Sequence, residues 1–105
     1  MIENCQTYDF LPGINQQAYG EFAKKAIGAV LQAQGLVEFR AYRNILGSPQ
    51  VRLVTVWQTL EDWARFGESA EWQAMEAEMR TFIVNNHVEL WGPSPVVPEP
   101  LHPSR

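Results

Sequence analysis

The sequence predicts an α+β fold: a four-stranded antiparallel sheet with helices on one face, in the order β-α-β-β-α-β. Three observations predict it. Arg52 to Trp57 is a strongly apolar strand that runs directly into a helix start at Thr59. Gly47-Ser48-Pro49 is a turn between two strand-like runs, which makes them an antiparallel hairpin. Two stretches of helical periodicity, one after the first strand and one after the third, complete a split βαβ arrangement of the ferredoxin-like kind.

The elements follow in order. Ile2 to Phe10 alternates as a strand, with Ile2, Asn4, Gln6, Tyr8 and Phe10 on one face and Glu3, Cys5, Thr7 and Asp9 on the other. Leu11-Pro12-Gly13 ends it. Asn15 is suited to cap a helix running to about Gln34, whose apolar face includes Tyr19, Phe22, Ala26, Ile27 and Val30. Gly35 stands at its C-terminal end. Gly20 and Gly28 weaken this helix by roughly 1 kcal/mol each relative to alanine, and close packing against the sheet is the expected reason for them. Leu36 to Leu46 is the second strand and Gln50 to Gln58 the third. Thr59 with Asp62 is a variant capping box for a short helix to about Phe66. Ser69 caps a further helical piece, Ala70 to about Val84, with a stripe of Trp72, Met75, Met79, Phe82 and Ile83. Asn85-Asn86 is expected to terminate it, and His87 to Trp91 is the fourth strand.

The organisation is one ferredoxin-like domain over residues 1–91, then a proline-rich tail over 92–105 with extended, polyproline-like backbone. Strand three carries Leu53 and Trp57 on one face and Val54 and Val56 on the other. Helices cover only one of these faces, so a second copy of the chain is expected on the other, giving a homodimer through the sheet face with a barrel-like interior.

Composition excludes several function classes. The 105 residues are 46% hydrophobic and 11% aromatic, a globular composition, and the net charge of −4 with scattered basic residues argues against nucleic acid. No apolar run approaches the ~20 residues that span a bilayer, so no membrane association is expected. Cys5 stands alone and the first residues lack a signal-peptide pattern, which points to the cytoplasm. There is no phosphate-binding glycine loop, Cys/His metal cluster, G-x-S-x-G elbow, or flavin or nicotinamide signature. Neither a metal nor a cofactor is expected.

Thr55-Val56-Trp57, the helix start Thr59-Leu60-Glu61-Asp62, and Ser69 with the Trp72 to Phe82 amphipathic stretch resemble the antibiotic-biosynthesis-monooxygenase family of dimeric α/β barrels. The resemblance covers most of residues 2–91. It implies a small homodimer with a pocket between sheet and helices in each subunit. Some members oxidise polycyclic aromatic substrates with O₂ and no metal or flavin, and others degrade haem. The haem-degrading branch has an Asn on the first strand, a Trp on the helix after the Thr-Val-Trp motif and an axial His. Asn4 matches the first, Phe66 falls at the Trp position and Glu76 at the His position. A carboxylate replaces a neutral imidazole on iron poorly, so haem degradation is not expected.

The candidate site follows. In the chemistry the resemblance implies, Asn4 would stabilise developing negative charge, and His87, with Glu89 two residues on, is the candidate base. Trp57, Trp63 and Phe66 form the aromatic wall that holds a small aromatic substrate. The rival reading is a non-catalytic homodimeric ligand-binding or assembly protein of the same fold. Arg40 is expected to pair with Glu38 or Glu3, and Glu71, Glu76, Glu78 and Arg80 to form a solvated helix face.

Overall fold

A computed structural model describes residues 1–104. Seven elements occur in the order β1 (Ile2–Phe10), α1 (Gln16–Leu31), β2 (Leu36–Arg43), β3 (Val51–Trp57), α2 (Leu60–Gly67), α3 (Ala70–Met79) and β4 (Ile83–Trp91). The strands form one antiparallel sheet in the spatial order β2-β3-β1-β4, with the helical layer on one face.

All three caps are side-chain caps at the residues expected. The oxygens of Asn15, Thr59 and Ser69 accept from the backbone N–H of Ala18, Asp62 and Trp72 respectively. Only half of the Thr59 capping box forms. The Asp62 carboxylate turns to Arg65 Nη1 at 3.0 Å instead of reaching back.

Three boundaries differ from the sequence reading, each for a local reason. Helix α1 stops at Leu31 because its end tightens into three-residue turns, with Gln32 N–H donating to Ala29 O and Ala33 N–H to Val30 O. Strand β2 stops at Arg43 because the Asn44 side chain accepts from Leu46 N–H and folds the chain into a turn. Ile45 and Leu46 are left 97% exposed at the tip, so their hydrophobicity misleads.

The third difference matters most. Helix α3 ends at Met79, and β4 begins at Ile83. The Thr81 hydroxyl donates to Glu78 O at 2.7 Å, Phe82 N–H donates to Met79 O, and Leu11 N–H donates to Phe82 O. Ile83 then pairs with Phe10 and Val84 with Asp9. Asn85-Asn86 is therefore not a helix terminator. Asn85 sits at φ 58° in a bulge inside β4, where its amide donates to Asp9 Oδ2 at 3.1 Å.

The core lies between sheet and helices, around Tyr8, Phe22, Val51, Met75, Met79 and Ile83. Val51, Leu53, Thr55 and Trp57 face it from β3, opposite Tyr8, Gln6, Asn4 and Ile2 of β1. Gly20 and Gly28 are exposed and a Cβ at either would meet nothing within 4 Å, so close packing does not explain them. Gly35 is different. Its φ is +87°, and a Cβ there would collide with the Asp62 side chain.

The outer sheet face is less uniformly apolar than the sequence implies. Arg40 of β2 pairs with Glu38 at 3.1 Å and with Glu3 of β1 at 3.2 Å. Since β3 lies between β2 and β1, the second pairing runs across Val54 and Val56, and Val54 is only 3% exposed. Arg52 lies 4.5 Å from the Tyr42 ring centroid on the same face. Residues 92–104 form neither helix nor strand, and the side chains of Val96 and Leu101 are exposed.

Candidate functional site

A cavity of about 510 Å³ opens between the sheet and the helices, within the range of small-ligand sites. Strand β1 supplies its polar floor. Successive residues of a strand alternate faces, so Asn4, Gln6 and Tyr8 all point into the helix layer. Helices α1, α2 and α3 supply the walls.

Asn4 is oriented by a neighbour. The Trp63 indole N–H donates to Asn4 Oδ1 at 3.1 Å. An indole can only donate, so the Asn4 oxygen must face it and the amide NH₂ must face elsewhere. Among the described residues that NH₂ has no acceptor. Trp57 is 2% exposed, and its indole donates to Thr55 Oγ1 at 2.9 Å. Phe66 packs between Trp57 and Trp72, with ring centroids 5.5 and 5.3 Å away. Four of the five residues singled out from the sequence, Asn4, Trp57, Trp63 and Phe66, thus line one cavity. It is Trp63, rather than Phe66, that meets Asn4.

His87 does not join them. It pairs with Thr7, which puts it on the outer sheet face with Glu3, Cys5 and Glu89. Its Nε2 lies 3.1 Å from Glu89 Oε2, so the His–Glu pair inferred from their spacing exists, but the sheet separates it from the cavity. A strand residue one register position out faces the wrong way, and the Asn85 bulge shifts the register of β4 just before His87. The expectation that His87 acts as a base beside Asn4 is corrected accordingly.

Sequence reasoning missed several groups. Gln6 is 7% exposed, and its Nε2 donates to Asn86 Oδ1 at 2.8 Å and lies 3.8 Å from Met79 Sδ. The Tyr8 and Tyr19 hydroxyls are 2.5 Å apart. Burial, reinforced by the Tyr19 hydroxyl, pushes the Tyr8 phenol well above its ordinary value, so it remains neutral. Glu76 and Arg80, paired at 2.6 Å, line the cavity in place of belonging wholly to a solvated face. The signal for Gln6 and Tyr8 was present, since they share the period-two face of Asn4. Tyr19 lies on the apolar face that the sequence assigns to the first helix, whereas nothing in the sequence indicated Asn86, which turns to the cavity only through the bulge in β4. Among the described residues no three His, Cys, Asp or Glu side chains gather as a metal site would require, and no helix is long and apolar enough to cross a membrane.

Comparison with known families supplies the decisive observation. The family model for antibiotic biosynthesis monooxygenases matches residues 6–78, well over half of the chain. The chain belongs to the antibiotic biosynthesis monooxygenase family. Solved structures agree on the fold. A Deinococcus radiodurans protein assigned to the same family superposes with a TM-score of 0.79 at 8% identity, covering 100% of both chains. SnoaB, a cofactor-independent oxygenase from Streptomyces nogalater, gives 0.77 at 10% identity, covering 93% of this chain and 97% of its own. A Nitrosomonas europaea protein assigned to the family gives 0.72 at 13% identity, covering 88% and 97%. No curated protein matches in sequence. At these identities the family member shares a backbone with its neighbours, and its chemistry has to be argued from its own cavity.

Proposed function

We propose that this family member is a cofactor-independent, monooxygenase-like enzyme acting on a small aromatic substrate in the cavity between sheet and helices. The observation that carries the reading is the Asn4 amide, fixed by Trp63 and with its NH₂ uncommitted, in an aromatic-walled cavity. An electron-rich phenolic ring bound against Trp63 and Phe66, with Trp57 buried behind Phe66, supplies the electrons for O₂ itself. The ionised ring adds O₂ at carbon. One oxygen stays on the product and the other leaves as water, with the two hydrogens that the substrate loses. Asn4 N–H stabilises the negative charge on the substrate oxygen as the ring ionises. With His87 on the outer face, the ionisable acceptors for the phenolic proton at the cavity wall are Glu68 and Glu76.

The working unit in this reading is a cytoplasmic homodimer through the outer sheet face. Tyr42 and Trp91, 41% and 57% exposed, are the large apolar groups a second copy would cover. A non-catalytic binding protein is the second reading, favoured by the position of His87 outside the cavity. Oxygen consumption separates the two. Hydroxylated naphthacene-type compounds should be consumed with O₂ uptake by the wild type and about 10²-fold more slowly by Asn4→Ala, the scale for removing one oxyanion donor. Tight binding without O₂ uptake, unchanged in Asn4→Ala, would overturn the enzyme reading.

A further inference from the structure

Gln6 is buried on all sides except the cavity, and half of its amide is committed. Methionine sulfur only accepts, so the side chain turns its nitrogen toward Met79 Sδ and Asn86 Oδ1. Its Oε1 is left facing away from both. Among the described residues that oxygen accepts no hydrogen bond. Its two neighbours on the strand present the opposite polarity. Asn4 offers an N–H, because Trp63 occupies its oxygen. The Tyr8 hydroxyl is wholly buried and has the Tyr19 oxygen 2.5 Å away to donate to. The Tyr19 hydrogen is then free for the cavity. Residues two apart on one strand face lie about 7 Å apart, so β1 offers the cavity a donor at Asn4 and, about 7 Å along, an acceptor at Gln6, with the Tyr19 hydroxyl of α1 at the Tyr8 end.

We propose that Gln6 determines specificity at this site, its carbonyl accepting from a hydroxyl or N–H on the ligand, beside a ligand acceptor that faces Asn4. This rests on the reading that the cavity is the substrate site. The ligand class is a planar aromatic molecule that carries a hydroxyl or N–H donor for Gln6 and an acceptor for Asn4, as a phenol with a ring carbonyl does. A ligand without that donor dehydrates the Gln6 carbonyl and leaves it unpaired, the kind of mismatch polar sites reject most strongly.

The test is calorimetric titration with 2-hydroxyanthraquinone, 2-methoxyanthraquinone and anthraquinone, at a mildly acid pH where the hydroxyl is neutral. The wild type should bind the hydroxyl probe roughly tenfold more tightly than either other probe, the scale of one hydrogen bond. Gln6→Met should lose that preference while still binding all three. Gln6→Glu, which keeps an acceptor, should retain it. Equal binding of the three probes by the wild type would overturn the role of Gln6 and leave the cavity reading standing. Binding of none would overturn both. If Gln6→Met does not fold, the wild-type ratio and Gln6→Glu decide alone, and loss of the preference in Gln6→Glu counts against the proposal.

Discussion

The Asn4–Trp63 hydrogen bond joins strand to helix and fixes the one amide on which the proposed chemistry depends. Its contribution can be isolated by a double-mutant cycle with Asn4→Ala and Trp63→Phe. The bond is 3.1 Å long and part-buried, so the coupling between the two sites should be about 1 kcal/mol. In a domain of this size the double variant's loss in Tm should therefore fall short of the sum of the separate losses by roughly 4–8 °C. Chemical denaturation and thermal melts by circular dichroism measure it. Asn4→Asp sharpens the experiment. A carboxylate still accepts from the indole but has no N–H for substrate. Coupling to Trp63 should therefore survive in Asn4→Asp while O₂ uptake falls as in Asn4→Ala. A coupling energy indistinguishable from zero, or full activity in Asn4→Asp, would refute the claim that Trp63 orients a catalytic amide.

Four further outcomes are expected. Gly35→Ala should destabilise by about 2–3 kcal/mol, from left-handed backbone plus displacement of Asp62. Combining it with Asp62→Ala should recover the steric part only, as urea titrations of the three variants would reveal. Gly28→Ala, at an exposed helix position with free space, should stabilise by roughly 1 kcal/mol, read from the denaturation midpoint. Hydrogen bonds from Ser48 first and Asn85 second hold the Asp9 carboxyl below its ordinary value. A lowered folded value contributes stability above the unfolded pKa of about 4, lost as pH falls through the folded value. Melts from pH ~5 downward should show this loss in wild type and a flatter dependence in Asp9→Asn. His87→Gln should leave O₂ uptake unchanged, and a large drop would restore His87 as a candidate base.

Much of the fold was legible because it depends on local chemistry. The caps at Asn15, Thr59 and Ser69 and the period-two face of β1 are short-range signals, and all were read at the right residues. The error at the end of α3 was equally physical. Phe82 and Ile83 fit both a helical stripe and a strand, and local spacing cannot choose between them. Pairing with Phe10 and Asp9 of β1, over seventy residues away in sequence, made the choice.

The candidate site divides along the same line. By itself the sequence determined which β1 side chains share a face and that aromatic residues from β3 and α2 would lie above them, because strand and helix periodicity fix direction. Tertiary structure alone decided that Trp63 meets Asn4, that Tyr19 meets Tyr8, and that one bulge at Asn85 sends His87 to the far side of the sheet. Those outcomes depend on register and on how elements distant in sequence settle against each other, and neither is encoded in any local run of residues.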